Sequence, residues 1–158
     1  RHTRFLPVSW ARMCIRDSYD SRVICEYLAD AAGDTQLFPA GPDRWVALTR
    51  QALGDGLLDA ALLARYEHTA RPAEIQWPQW REAQLVKVQA CLAQIESQAN
   101  DLSRSRPDIG ELTLACALGY LDFRFPELDW RTAHPRAAAW FSVINALPAM
   151  QATLPHET

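Results

Sequence analysis

The sequence predicts an all-α protein, a bundle of helices. Three observations carry this. From Tyr19 onward apolar residues recur at helical period, no convincing alternating strand interrupts them, and the 10 prolines fall mostly between the periodic segments, where helices end.

The first helix is expected over Asp20 to Ala32, with Gly33 taking the left-handed position after its end. Leu37-Phe38-Pro39 leads to Gly41-Pro42, and Pro42 suits the first turn of a second helix, where a missing N–H costs nothing. That helix runs to about His68 with two apolar stripes. One holds Trp45, Leu48 and Ala52; the other holds Val46, Leu53, Leu57, Ala60 and Ala64. So wide an apolar surface implies two buried contacts. Gly54-Asp55-Gly56 interrupts it, which points to a kink or close helix packing rather than a backbone opened toward a ligand.

Arg71-Pro72 ends the second helix. A third spans about Pro78 to Leu102. Its core stripe is Leu85, Val88, Leu92, Ile95, Ala99 and Leu102, with Arg81, Glu82, Lys87, Glu96 and Asp101 on the remaining surface. Asp108 followed by Glu111 is a capping-box pattern opening a fourth helix. The fourth is apolar on nearly every side to Leu121, hence the central buried one, and Gly119 would let a neighbour approach closely. A loop over 125–130 precedes a fifth helix from His134-Pro135, with Ala138, Phe141 and Ile144 to Leu147 inward. Pro148 to Thr153 adds a last turn. Asp122 and Arg124, just after the buried helix, are expected to form a structural pair.

The chain has 158 residues, 49% of them hydrophobic, which suffices for one domain with a real core. A net charge of −3 argues against nucleic acid as a partner. The charge is uneven. Residues 1–18 carry four arginines against Asp17, while the remainder carries 12 Lys and Arg against 18 Asp and Glu. No run of 18 apolar residues predicts a membrane span, and residues 1–18 lack the apolar centre of a signal peptide. Cys14, Cys25, Cys91 and Cys116 form no C-x-x-C pair, three of them sit in helical, apolar contexts, and they read as reduced, buried thiols of a cytoplasmic protein. Burial in an apolar frame would raise the pKa of Cys25 and disqualify it as a nucleophile. His2, His68, His134 and His156 lack metal-ligand spacing, so no metal is expected.

Four blocks, taken in order, resemble a bacterial glutathione S-transferase. They are Asp20-Ser21-Arg22-Val23-Ile24-Cys25-Glu26-Tyr27-Leu28, then Ala52-Leu53-Gly54-Asp55-Gly56-Leu57-Leu58-Asp59-Ala60-Ala61, then Ala117-Leu118-Gly119-Tyr120-Leu121-Asp122-Phe123-Arg124, then Met150-Gln151-Ala152-Thr153-Leu154-Pro155. The match covers residues 19–155. It implies a C-terminal helical domain at 34–158, preceded at 19–33 by the last helix of a thioredoxin-like glutathione-binding domain. Residues 1–18 match neither and read as a non-native or disordered segment.

The resemblance also implies roles. Asp20 would meet the ammonium of glutathione, and Ser21 its α-carboxylate at a helix N-terminus. The plain alternative is capping, which Asp and Ser both favour. The parent is expected to be a transferase that conjugates glutathione, its co-substrate, to small electrophiles, with no cofactor and as a homodimer. The residue that activates the thiol is not recognisable in the chain, so the chain is expected to be a truncated, inactive form that is helical but not retained on immobilised glutathione. The alternative is a non-catalytic transferase-like domain used for protein association.

Overall fold

The computed structural model describes residues 20–156; the expectations for residues 1–18 and for Tyr19 lie outside them. The described residues form helices joined by turns. These are α1 (Ser21–Ala32), α2 (Pro42–Thr69), α3 (Pro78–Gln98), α4 (Ile109–Arg124), α5 (Trp130–Ala133), α6 (Pro135–Asn145) and α7 (Pro148–Ala152), with single 3-10 turns at Ala73–Ile75, Ala99–Asp101 and Pro126–Leu128.

Punctuation in the sequence places the boundaries. Gly33 is left-handed at φ 68° and closes α1, its N–H donating to Asp30 O. Pro42, Pro78, Pro135 and Pro148 each open a helix at its first turn. The α2–α3 turn is held by Glu67, which is buried. Its Oε1 accepts from Trp77 N at 2.6 Å, and its Oε2 pairs with Arg71 Nε at 3.2 Å.

α2, α3 and α4 are the frame. Leu57, Ala61 and Ala64 of α2 meet Val88, Leu92 and Ile95 of α3 and Leu114, Leu118 and Leu121 of α4 in one core. α6 closes it with Trp140, Phe141 and Ile144, and Trp130 of α5 lies against Phe141 with ring centroids 6.0 Å apart. The regular stripe of α3 is the core stripe, with Leu85 at its edge. Small residues let α2 and α4 touch. A side chain at Gly54 would meet Thr113 Cγ2 at 2.8 Å, and one at Gly110 would meet Ala47 O at 2.2 Å. Close packing is therefore the role of Gly54, and α2 runs unbroken through it. Gly119 lacks such a neighbour: its nearest contact would be an ordinary 3.6 Å to Phe141.

Four expectations are corrected by contacts between residues far apart in sequence. Trp45 is 69% exposed and Ala52 is exposed too, so in the first stripe of α2 only Leu48 is partly covered by the described residues. Loop 125–130 contains a 3-10 turn and opens the short α5. Asp122 does not serve Arg124; it pairs with Arg131 Nη2 at 2.6 Å and accepts from Trp130 Nε1 at 2.8 Å. Glu96 is no idle surface charge. It caps α6 from α3, accepting from Ala137 N at 2.8 Å and from Arg136 Nε at 2.9 Å. His134 precedes α6 without a side-chain cap of its own, so the orphan N–H groups of that helix take the distant carboxylate.

That cap predicts a pH effect. Partial burial alone would raise the Glu96 carboxyl, but the Ala137 N–H and the Arg136 guanidinium and N–H outweigh it and hold it below its ordinary 4.5. The folded carboxyl therefore gives up its proton more readily than the unfolded one. Its stabilisation is complete above the ordinary value and is lost as pH falls through the lower, folded value. Melts between roughly pH 6 and pH 3 should show Glu96→Gln losing less stability on acidification than the parent. Parallel curves would count against the cap.

Candidate functional site

Asp20 stands immediately before α1. Its Oδ1 accepts from Arg22 N at 2.9 Å, so it is the N-cap. Its φ of 74° is left-handed, a conformation that costs a non-glycine residue roughly 1–3 kcal/mol. Ser21 is the first residue of the helix, and both residues are exposed. Capping is thus the part of the expected role that the described contacts display.

Two ion pairs tie α1 to α2. Arg22 Nε meets Asp55 Oδ2 at 2.7 Å, and Glu26 meets Arg44 one turn further on. Ile24 and Ala29 are buried by this packing, while Val23, Tyr27 and Leu28 remain more than half exposed. Cys25 lies where α1, α2 and α4 converge. Burial raises its thiol pKa, and the Asp55 carboxylate raises it further, so at neutral pH it holds its proton and is a poor nucleophile. Cys116, exposed rather than buried as expected, has its thiol raised first by desolvation and then by the nearby Cys25.

An apolar cleft of about 270 Å³ opens beside this junction. Leu58 of α2, Cys116, Gly119 and Tyr120 of α4, and Met150 and Leu154 at the C-terminal end line it. Burial raises the Tyr120 hydroxyl above its ordinary value, against the lowering pull of Arg65 and Arg124. Cys116, which lines the cleft, is close enough to Cys25 of α1 to feel its charge. The sequence reading missed the cleft, although the apolar block from Leu114 to Leu121 and the return of Met150 and Leu154 were both visible. Among the described residues no group of three His, Cys, Asp or Glu is placed to hold a metal ion, and no helix is long and apolar enough to cross a membrane.

A helical bundle of this form, preceded by a capped helix and carrying an apolar cleft, has close counterparts. Residues 78–142 match the family model for the glutathione S-transferase C-terminal domain. A glutathione transferase family member from Pseudomonas fluorescens Pf-5, solved with bound glutathione, superposes with a TM-score of 0.83 at 44% identity, over 89% of this chain and 69% of that one. The glutathione S-transferase of Methylobacterium radiotolerans JCM 2831, in complex with glutathione sulfonate, superposes at 0.80 with 30% identity, over 89% and 68%. The uncharacterized GST-like protein YibF of Escherichia coli (strain K12) is 30% identical over 120 residues, which is 74% of this chain. The chain belongs to the glutathione transferase family. It spans 59% of the length of the Escherichia coli relative.

Proposed function

We propose that this chain supplies the helical half of a cytoplasmic glutathione transferase, in which glutathione sits over the N-terminus of α1 and a small electrophile occupies the apolar cleft. The single observation that carries this reading is the likeness, at 44% identity over 89% of this chain, to a glutathione transferase solved with bound glutathione. Asp20 and Ser21 would hold the γ-glutamyl end, and the free N–H groups of the helix would favour its carboxylate. The sulfur, as thiolate, attacks the electrophilic carbon, and a leaving group departs or a proton is taken up. A free thiol titrates near roughly 8.5, so the reaction needs a group that stabilises the anion. Neither Cys25 nor Cys116 is suited, since desolvation raises both. That group is assigned to a thioredoxin-like half of the protein, and the 158 residues by themselves are expected to lack activity.

The Pseudomonas fluorescens relative has also been solved with S-(propanoic acid)-glutathione, a thioether that ends in a carboxylate. Such a conjugate is what a thiolate yields on adding to a small electrophile. A second copy is proposed to cover the exposed stripe of α2 around Trp45 and Val46. The same stripe would serve the alternative, a non-catalytic association domain. The test is a conjugation assay with 1-chloro-2,4-dinitrobenzene on two proteins: this chain, and the chain joined to the sequence upstream of it in its gene. Activity in the second alone is expected. Conjugation and retention on immobilised glutathione by the 158 residues would overturn the assignment, and no activity in either would favour the association domain.

A further inference from the structure

The apolar cleft is lined by two polar side chains with unused hydrogen-bonding capacity. None of its lining residues carries a charge, so polar recognition inside it falls to neutral groups: Tyr120, Asn145 and Thr153, beside the weakly bonding Cys116 thiol. The Thr153 hydroxyl is committed, donating to Ala149 O at 2.9 Å. The other two are not. Among the described residues neither the Tyr120 hydroxyl nor the Asn145 side-chain amide has a hydrogen-bond partner. Both residues are half-buried. Other contacts hold them in place. The Tyr120 ring lies against Phe125 with centroids 6.3 Å apart. Asn145 is the last residue of α6, and its backbone carbonyl accepts from Gln151 Nε2 of α7 at 2.6 Å. A polar group partly withdrawn from water without a partner costs free energy, which a ligand atom bonded to it recovers. An apolar pocket with a few such groups is the usual form of a small-molecule site, and the polar groups set which ligand is accepted.

We propose that the cleft selects compounds that join an apolar body to a neutral hydrogen-bonding group, such as a carbonyl, amide or nitro group, and that Asn145 and Tyr120 bind that group. That such compounds are electrophiles rests on the transferase reading; the selection itself does not. The apolar body lies on Leu58, Met150 and Leu154. The Asn145 amide both donates and accepts, so it matches a carbonyl or an amide. The Tyr120 hydroxyl keeps its proton at neutral pH and donates. A compound of the same shape without the polar group leaves both side chains unpaired, and a site built to hydrogen-bond its ligand discriminates against such an analogue for that reason.

The test is equilibrium dialysis of the chain, joined to the sequence upstream of it in its gene, against two probes. One is 2-naphthamide; the other is 2-ethylnaphthalene, which keeps the apolar body and lacks the polar group. Asn145→Leu and Tyr120→Phe are each expected to weaken naphthamide about fivefold, the worth of one ordinary hydrogen bond, and to leave ethylnaphthalene unweakened. Circular dichroism of each variant guards against misfolding, and Tyr120→Phe, which removes a single oxygen, carries the test if Asn145→Leu does not fold. Naphthamide affinity unchanged in a folded variant, ethylnaphthalene weakened as much as naphthamide, or binding of neither probe would overturn the proposal. No glutathione takes part, so a protein that fails to conjugate but shows this pattern keeps the selective cleft and loses only the transferase reading.

Discussion

Gly110→Ala is expected to destabilise the protein by about 3 kcal/mol, the upper end of what overpacking ordinarily costs. A methyl group there would stand 2.2 Å from Ala47 O and 2.6 Å from Arg50 Cβ. The first obstacle is a backbone carbonyl inside α2, so it cannot rotate aside. Relief requires α4 to move away from α2, which would open the core between Leu57 and Leu114. Gly56→Ala is the control. Gly56 also lies in a helix, but a methyl there would meet nothing within 4 Å. Alanine's better helix propensity should make that variant more stable, by about 0.5–1 kcal/mol. Urea unfolding of both distinguishes contact from propensity. A Gly110→Ala protein as stable as its parent would show that the two helices are not in the described contact.

Glu111→Ala should cost as much or more, about 3–5 kcal/mol, the range for breaking a buried charged network by removing one member. The Glu111 side chain is only 5% exposed. Its Oε2 accepts from Asp108 N at 3.0 Å, which with Asp108 Oδ1 accepting from Glu111 N at 2.8 Å completes the capping box. Its Oε1 accepts from Ser103 N at 2.7 Å and from Arg50 Nη1 at 3.3 Å. Truncation strands two backbone donors and leaves Arg50, its side chain 13% exposed, with Gln98 Oε1 at 3.3 Å from its Nε and Asp108 Oδ2 at 3.9 Å. Asp108→Ala removes a single capping acceptor, from a partly buried carboxylate, and should cost only about 1 kcal/mol. Equilibrium unfolding of the two variants side by side checks the difference. If Glu111→Ala lost no more than Asp108→Ala, the carboxylate would be an ordinary cap and not the knot between α2, α4 and the chain before α4.

The same residue shows how far the sequence could be read. The capping box was legible because its two partners are three residues apart and its geometry is local. Its burial against Arg50 was not, since Arg50 is 61 positions away. The stripe of α3 was legible for the same local reason, and so were the helices opened by Pro42, Pro78, Pro135 and Pro148. Glu96 was misread as solvated because nothing near it in sequence reveals that α6 begins beside it. Asp122 was given the wrong arginine, for the right one, Arg131, enters only after the turn at Pro126–Leu128. Of the candidate site, Asp20 and Ser21 were legible as a helix start, while the cleft, drawn from α2, α4 and the C-terminal turns, was not.

The sequence by itself determined that the chain is helical, where its main helices begin and end, which face of α3 is buried, and, through four ordered blocks, the family. These are properties of period and punctuation, set by neighbours within one or two turns. Tertiary contacts set which glycines are crossing points, which carboxylates cap distant helices, and that Trp45 stays exposed. Each of these depends on residues brought together from separate helices, and the spacing along one helix does not specify what its side chains will meet on another.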